Sequence, residues 1–320
     1  GLLSMLVSTI IMGVVLAFTF ELGRHFHAFD YRVFMQKLLG KAWFAFEITY
    51  LAMLVLIVSV MGSAAGELLN RMLGWPELAG IIVLITAVGW MSFYGNELIE
   101  KVFSLWSVVL YLTFFGVIAA ALFMFSDRIG EVIVQFDPES NWVMSGIKYA
   151  GYNVGLAPAA FFVLRHLETR KEAMTSGLIA GMLGMIPALF VFVGMLAVYP
   201  EVLGESIPVD FLLTTLGWPW LRVLFQIVLF GTLIETGVGV IHGFNERIAG
   251  VYHQKGKEMP RELRMGIAAI LLLIAIFLAD AIGIVDLIAK GYGTLTWLYW
   301  VVFLLPVLIL GVRHVFFSQR

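Results

Sequence analysis

The sequence predicts an all-α polytopic membrane protein, and three observations predict it. Its 320 residues are 61% hydrophobic and only 13% charged, where a soluble domain carries about 25% charged residues. The apolar residues fall in continuous runs of roughly 20, the length that crosses about 30 Å of hydrocarbon. Those runs do not alternate polar with apolar, as the strands of a membrane barrel do. Mean hydropathy is +0.96.

Nine spans follow, at about 1–22, 42–66, 77–95, 102–125, 143–165, 174–199, 219–243, 264–283 and 286–316. After the first comes HAFDYRVFMQKLLGK (27–41), amphipathic and basic, as expected of a short helix at the cytoplasmic interface. GSAAG (62–66) in the second span and GLIAG (177–181) in the sixth fit close helix–helix contact. SIPVDFLLTTLGWPW (206–220) is apolar but too short to span. It reads as a re-entrant loop helix over 206–217, dipping into the protein from the outer side, or as a surface helix at the headgroups.

Orientation follows from the basic residues. Of the 20 lysines and arginines, all but Arg71, Arg128, Lys148, Arg222 and Lys290 fall in the odd-numbered loops or the C-terminal tail. The positive-inside rule makes those loops and the C-terminus cytoplasmic, in a multi-pass protein of the plasma (inner) membrane. Nine spans then put Gly1 outside. The chain opens on glycine, already inside an apolar run and without a cleavable signal, so a tenth helix upstream is expected.

Several chemistries are excluded. With no cysteine there are no disulfides, thiolate metal sites or thiol nucleophiles. A net charge of −2 says little, because placement outweighs sum in a membrane protein. No histidine pair has metal-ligand spacing inside a span; His25 and His27 read as a wet interfacial pair. Without a P-loop, a nucleophile elbow or an extended basic patch, neither an enzyme, an ATP-driven pump nor a nucleic-acid partner is expected.

Two stretches carry chemistry instead. KYAGYNVGLAP (148–158) lies inside the fifth span, and a lipid-facing helix has no use for its residues. Pro158 cannot donate a backbone hydrogen bond, and Gly151 and Gly155 ease departure from helical geometry. Freed backbone groups at membrane depth need protein or a wet cavity beside them. Tyr149, Tyr152, Asn153 and the backbone at Gly155 therefore form a candidate site for a small zwitterion or amine. A Pro-kinked helix whose Tyr and Asn bond to neighbours uses the same residues. In the seventh span, FGTLIETGVGVIHGF (230–244), Thr232 and Thr236 share a face. Glu235 lies past the midplane, where a carboxyl faces a bundle interior or water. The alternative is a structural Glu235, with both threonines bonded to their own i−4 carbonyls. Near the outer end of the last span, Tyr292 and Thr296 in KGYGTLTWLYW (290–300) are gate candidates.

ELGRHFHAFDYRVF, KYAGYNVGLAP, ETGVGVIHGFNERI and IAKGYGTL together resemble the YkvI family of bacterial membrane proteins, a branch of the amino acid–polyamine–organocation (APC) superfamily with the LeuT-type fold. The resemblance covers essentially the whole chain. It departs at the start, where members carry a glycine-rich first helix and a Gly-Gln-Glu stretch that this chain lacks. It implies an inverted-repeat helix bundle in one transmembrane domain, with the nine spans as helices two to ten. Residues 1–125 would be the remainder of the first repeat and 143–320 the second. Helix six, the broken one, is then the fifth span. Helix three lines the substrate site, which adds Tyr50; Glu47 nearby reads as snorkelling to the interface. Helix eight supplies hydroxyl ligands to sodium, which assigns Thr236 and Thr232 to the cation and Glu235 to charge pairing or proton carriage.

The function implied is a secondary active transporter of an amino acid or amine, a symporter working by alternating access and coupled to sodium or protons. No cofactor is implied beyond a sodium ion at Thr236. The partners are the solute, the bilayer, and a second copy or a subunit supplying the absent helix. The fold also serves as a receptor-like or structural subunit of membrane complexes, including germinant receptors, without classical transport.

Overall fold

The computed structural model describes residues 1–93, 96–134, 141–254 and 256–317, and among them the secondary structure is helical with no strand. The helices are α1 (Leu2–His25), α2 (Tyr31–Leu39), α3 (Trp43–Leu73), α4 (Glu77–Phe93), α5 (Asn96–Met124), α6 (Ser126–Val134), α7 (Trp142–Val154), α8 (Arg170–Met195), α9 (Pro208–Leu216), α10 (Pro219–Gln254) and α11 (Arg261–Ile282). A terminal helical run, Ile284–Phe317, follows. Lys255 and Arg320, counted above among the basic residues, and residue 95, the expected end of the third span, lie outside the described residues.

Among the described residues six helices are long and apolar enough to cross a bilayer: α1, the run Tyr31–Leu73, Arg170–Val198, Pro219–Asn245, α11 and the terminal run. A seventh is added if Val108–Met124 and Ser126–Val134, bent by 79° at Phe125, count as one span. The protein is membrane-embedded. The other two expected spans fall short as single α-helices. Helix α4 has 17 residues, about 26 Å at 1.5 Å per residue. The fifth is interrupted, as described below. Within the 27–41 segment, expected to lie at the interface, the helix is α2. Asp30 caps it by accepting from the Arg32 backbone N–H at 2.6 Å, and Phe34, Met35 and Leu38 form its buried face.

The contacts divide the chain into two compact units. The first comprises Gly1–Met53, Gln135–Phe192 and Tyr292–Arg320. Here α1 packs on α7, α8 and the terminal helix through residues without bulk. A Cβ on Gly177 would lie 2.5 Å from Ala17 Cα, and one on Gly146 2.7 Å from Val7 Cβ. Ser8 Oγ donates to the Gly146 carbonyl at 2.8 Å. Lipid tails are as apolar as leucine, so close backbone approach and interhelical hydrogen bonds supply the affinity that the hydrophobic effect supplies in water.

The second unit comprises Leu54–Val134 and Val193–Gly291. One core joins α3, α4, α10 and α11 through Ala65, Ile81, Leu84, Val88, Val238 and Leu272. The GSAAG segment does what its small residues predict: a Cβ on Gly80 would lie 2.8 Å from Gly66 Cα. A second core holds α9 against α5 and α10 through Leu212, Leu213, Leu216 and Phe225. At its edge Asp210, 1% exposed, accepts from Arg222 Nε (2.9 Å) and Nη2 (2.8 Å) and from Gln226 Nε2 (2.8 Å). Burial by itself would raise the Asp210 carboxyl, but these donors hold it below its ordinary value.

Candidate functional site

The α-helix of the fifth span ends at Val154, and residues Ala157–His166 continue as a 3₁₀ helix. Two departures mark the change. Leu156 donates its N–H three residues back, to the Asn153 carbonyl at 3.3 Å, and Pro158 has no N–H for the Val154 carbonyl. Gly155 has φ −56° and ψ −21°, a conformation open to any residue. Its glycine character serves clearance. A Cβ there would lie 2.6 Å from the ring of Tyr299, and one on Gly151 would lie 2.9 Å from Trp300 Cδ1 and would also strike Thr296 Oγ1. The two glycines, four apart, let the end of α7 lie directly on the terminal helix.

Hydrogen bonds fix that crossing. Thr296 Oγ1, fully buried, donates to the Lys148 carbonyl at 2.6 Å, and Trp300 Nε1 donates to the Ile147 carbonyl at 3.0 Å. Above them the half-buried tyrosines form a row, with Tyr149 and Tyr152 at 5.4 Å between ring centroids and Tyr152 and Tyr292 at 5.0 Å. Asn153 Nδ2 donates to the Tyr149 carbonyl at 2.8 Å, which leaves its carbonyl oxygen to accept. Tyr50 belongs to a separate chain of rings: it stacks with Tyr31 at 6.2 Å and with Phe46 at 5.8 Å, and Phe46 meets Tyr299 edge-on at 6.0 Å. Glu47 accepts from the Tyr31 hydroxyl at 3.4 Å, so it belongs to this tyrosine group rather than only to the interface.

Seven candidate residues, Tyr50, Tyr149, Tyr152, Asn153, Gly155, Tyr292 and Thr296, thus lie in the first unit, around one helix crossing. The gate candidates Tyr292 and Thr296 are on the same wall as the substrate candidates. Tyr299, Trp300 and Phe46 were not singled out by sequence reasoning. Their signal was the GxxxG spacing of Gly151 and Gly155, which marks a close approach and calls for large partners on the facing helix.

Thr232, Glu235 and Thr236 lie on α10 in the second unit. Thr232 Oγ1 donates to the Val228 carbonyl and Thr236 Oγ1 to the Thr232 carbonyl, each at 2.9 Å. Each hydroxyl gives its proton to its own helix, which satisfies it without a cation, while its lone pairs stay able to accept one. Glu235 is half-buried. Clearance again comes from glycine: Gly237 admits Val88, whose Cγ2 would stand 2.7 Å from an added Cβ. Asp286, in the terminal run, pairs with Lys290 at 2.8 Å. Among the described residues no group of three or more His, Asp or Glu side chains is placed to hold a metal ion.

No family model matches the chain. Over 203 residues, 63% of its length, it is 21% identical to the protein called "Uncharacterized membrane protein YkvI" of Bacillus subtilis (strain 168), and the match spans 57% of that protein. The chain is similar to a YkvI-like membrane protein.

Proposed function

We propose that the chain is the body of a secondary carrier for a small organic solute, an amino acid or amine, working by alternating access with sodium or proton coupling. One observation carries the reading: an apolar crossing changes from α to 3₁₀ at Val154, beside Tyr149, Tyr152, Asn153 and Tyr292. Backbone that leaves α geometry at membrane depth is tolerated beside protein or a wet cavity, and such discontinuities form substrate sites in transporters of inverted-repeat design. The 13 α-residues and 10 3₁₀ residues together rise about 40 Å, enough to cross. With α4 this makes nine crossings, helices two to ten of a LeuT-type bundle in the APC superfamily. The grouping of segments supports two interleaved repeats. Crossings five apart in the chain share a unit in three of four cases: the first with the sixth, most of the second with the seventh, and the third with the eighth.

In this reading the tyrosine row and Asn153 hold the solute, Tyr50 closes over it, and Tyr292 and Thr296 gate it. Thr232, Thr236 and Glu235 couple the ion. The back-bonded threonines favour a second reading, a receptor-like or structural subunit that binds a small molecule without moving it. Uptake of labelled amino acids and amines into proteoliposomes, under imposed sodium or proton gradients, separates the two. Carriage predicts gradient-driven uptake that falls at least about tenfold in Glu235→Gln, the loss of one charge-assisted bond. Uptake indifferent to both gradients and to the substitution would end the coupled-carrier reading.

A further inference from the structure

A cavity of about 310 Å³ opens between the C-terminal end of α1 and the end of the terminal helix, within the first unit and apart from the tyrosine row. Its polar lining is His25, Arg313 and His314; Leu22, Phe26, Leu310 and Phe317 supply the rest, and none of these lining residues is acidic. The nearest carboxylate is already engaged. Glu21, 1% exposed, accepts from Arg24 Nε and Nη2, both at 2.9 Å, and lies 3.0 Å from His314 Nε2. The rings of His25 and His314 meet at a tilt of 37°, with centroids 4.1 Å apart. Arg313 is exposed and has no ion pair among the described residues. The cavity therefore holds one uncompensated guanidinium beside two imidazoles.

Residues Arg313–Phe317 form a π-helical turn, as Leu287–Tyr292 and Trp300–Leu304 do earlier in the same run, a wider coil than the α-helix. It sets Arg313 and Phe317 on the same wall. On the adjoining surface of the same helix Ile309 is 66% exposed and Phe316 67%, each one position before a lining residue, Leu310 and Phe317. A cationic mouth at the ends of two crossing helices, with an apolar floor and exposed apolar residues adjoining it, is matched to an anion that carries hydrocarbon. Guanidinium and imidazole donors both suit phosphate oxygens.

We propose that this cavity binds an anionic phospholipid, its phosphate held by Arg313, His25 and His314 and its acyl chains laid on Leu310, Phe317 and Ile309. A soluble phosphate shares the headgroup chemistry but has no use for the apolar lining. Basic pockets at the ends of membrane helices recognise lipid headgroups by this combination.

The test uses the purified, delipidated protein in neutral detergent, titrated with phosphatidylglycerol, phosphatidylcholine or inorganic phosphate. Thermal midpoint and lipid retained in native mass spectrometry are both read. Phosphatidylglycerol should raise the midpoint saturably and remain bound, whereas the other two should not. Arg313→Gln should weaken the apparent affinity about fivefold, one surface cation's worth, and the double variant with His25→Asn should lose the shift. The unliganded midpoint should not move, since Arg313 is exposed. Lys290→Gln, a basic residue of the second unit that pairs with Asp286 and does not line the cavity, should keep the full shift. The proposal falls if Arg313→Gln titrates like the parent or if phosphatidylcholine matches phosphatidylglycerol. An equal shift with inorganic phosphate alone overturns the lipid as occupant.

Discussion

Gly155 shows how much of the site rests on a missing Cβ. Its backbone is ordinary right-handed helix, so the residue is there for the ring of Tyr299, 2.6 Å from where a Cβ would stand. Tyr299 is fully buried. Gly155→Val should cost about 2–3 kcal/mol, the range of overpacked cores, and lower the thermal midpoint accordingly. Gly116→Ala offers the contrast: nothing lies within 4 Å of its added Cβ, and the exchange should gain up to about 1 kcal/mol from helix propensity. If the two substitutions shift the midpoint alike, the clearance argument is wrong.

At the scale of elements, α9 is a short helix held by both a core and a charge. Asp210 anchors it to α10 through three donors. Because its folded carboxyl titrates below the ordinary value, its contribution is fully present above the unfolded value of about 3.9. It is lost as pH falls below that and through the folded value. Asp210→Asn should cost about 2–3 kcal/mol. That is less than the roughly 3–5 kcal/mol of breaking a fully buried pair, because Arg222 is 34% exposed and solvent screens it. Thermal midpoints between pH 7 and pH 3 check both statements: the variant should start lower and fall less steeply. A midpoint that drops equally with pH in both proteins would assign the acid sensitivity elsewhere.

For the whole molecule the open quantity is orientation, and the absence of cysteine makes it measurable. Single cysteines at Lys171, in the first turn of α8, and at Leu203, beyond its end and 74% exposed, bracket the helix. Its 26 residues rise about 39 Å, more than the hydrocarbon thickness. The two positions should therefore react with an impermeant maleimide from opposite faces, and Lys171→Cys should be labelled only from the cytoplasmic side. Both reacting from one face would remove α8 as a crossing, and the reverse pattern would invert the topology drawn from the basic loops.

The sequence by itself determined the class and the rough course of the chain. Runs of roughly 20 apolar residues, the amphipathic 27–41 segment and the small-residue pairs GSAAG and GLIAG each have one cheap solution in lipid, because the solvent itself enforces helices and rewards only close contact. It also marked the change at 154–158, since proline removes a donor wherever it sits. Tertiary structure decided what the marks were for. Whether Gly155 bends or clears and which ring meets Tyr152 depend on the neighbouring helix. That neighbour lies more than a hundred residues away in the case of Tyr299, and no local pattern encodes it. The basic cavity at His25 and His314 escaped notice for the same reason: its two walls come from opposite ends of the chain, and only folding puts one imidazole against the other.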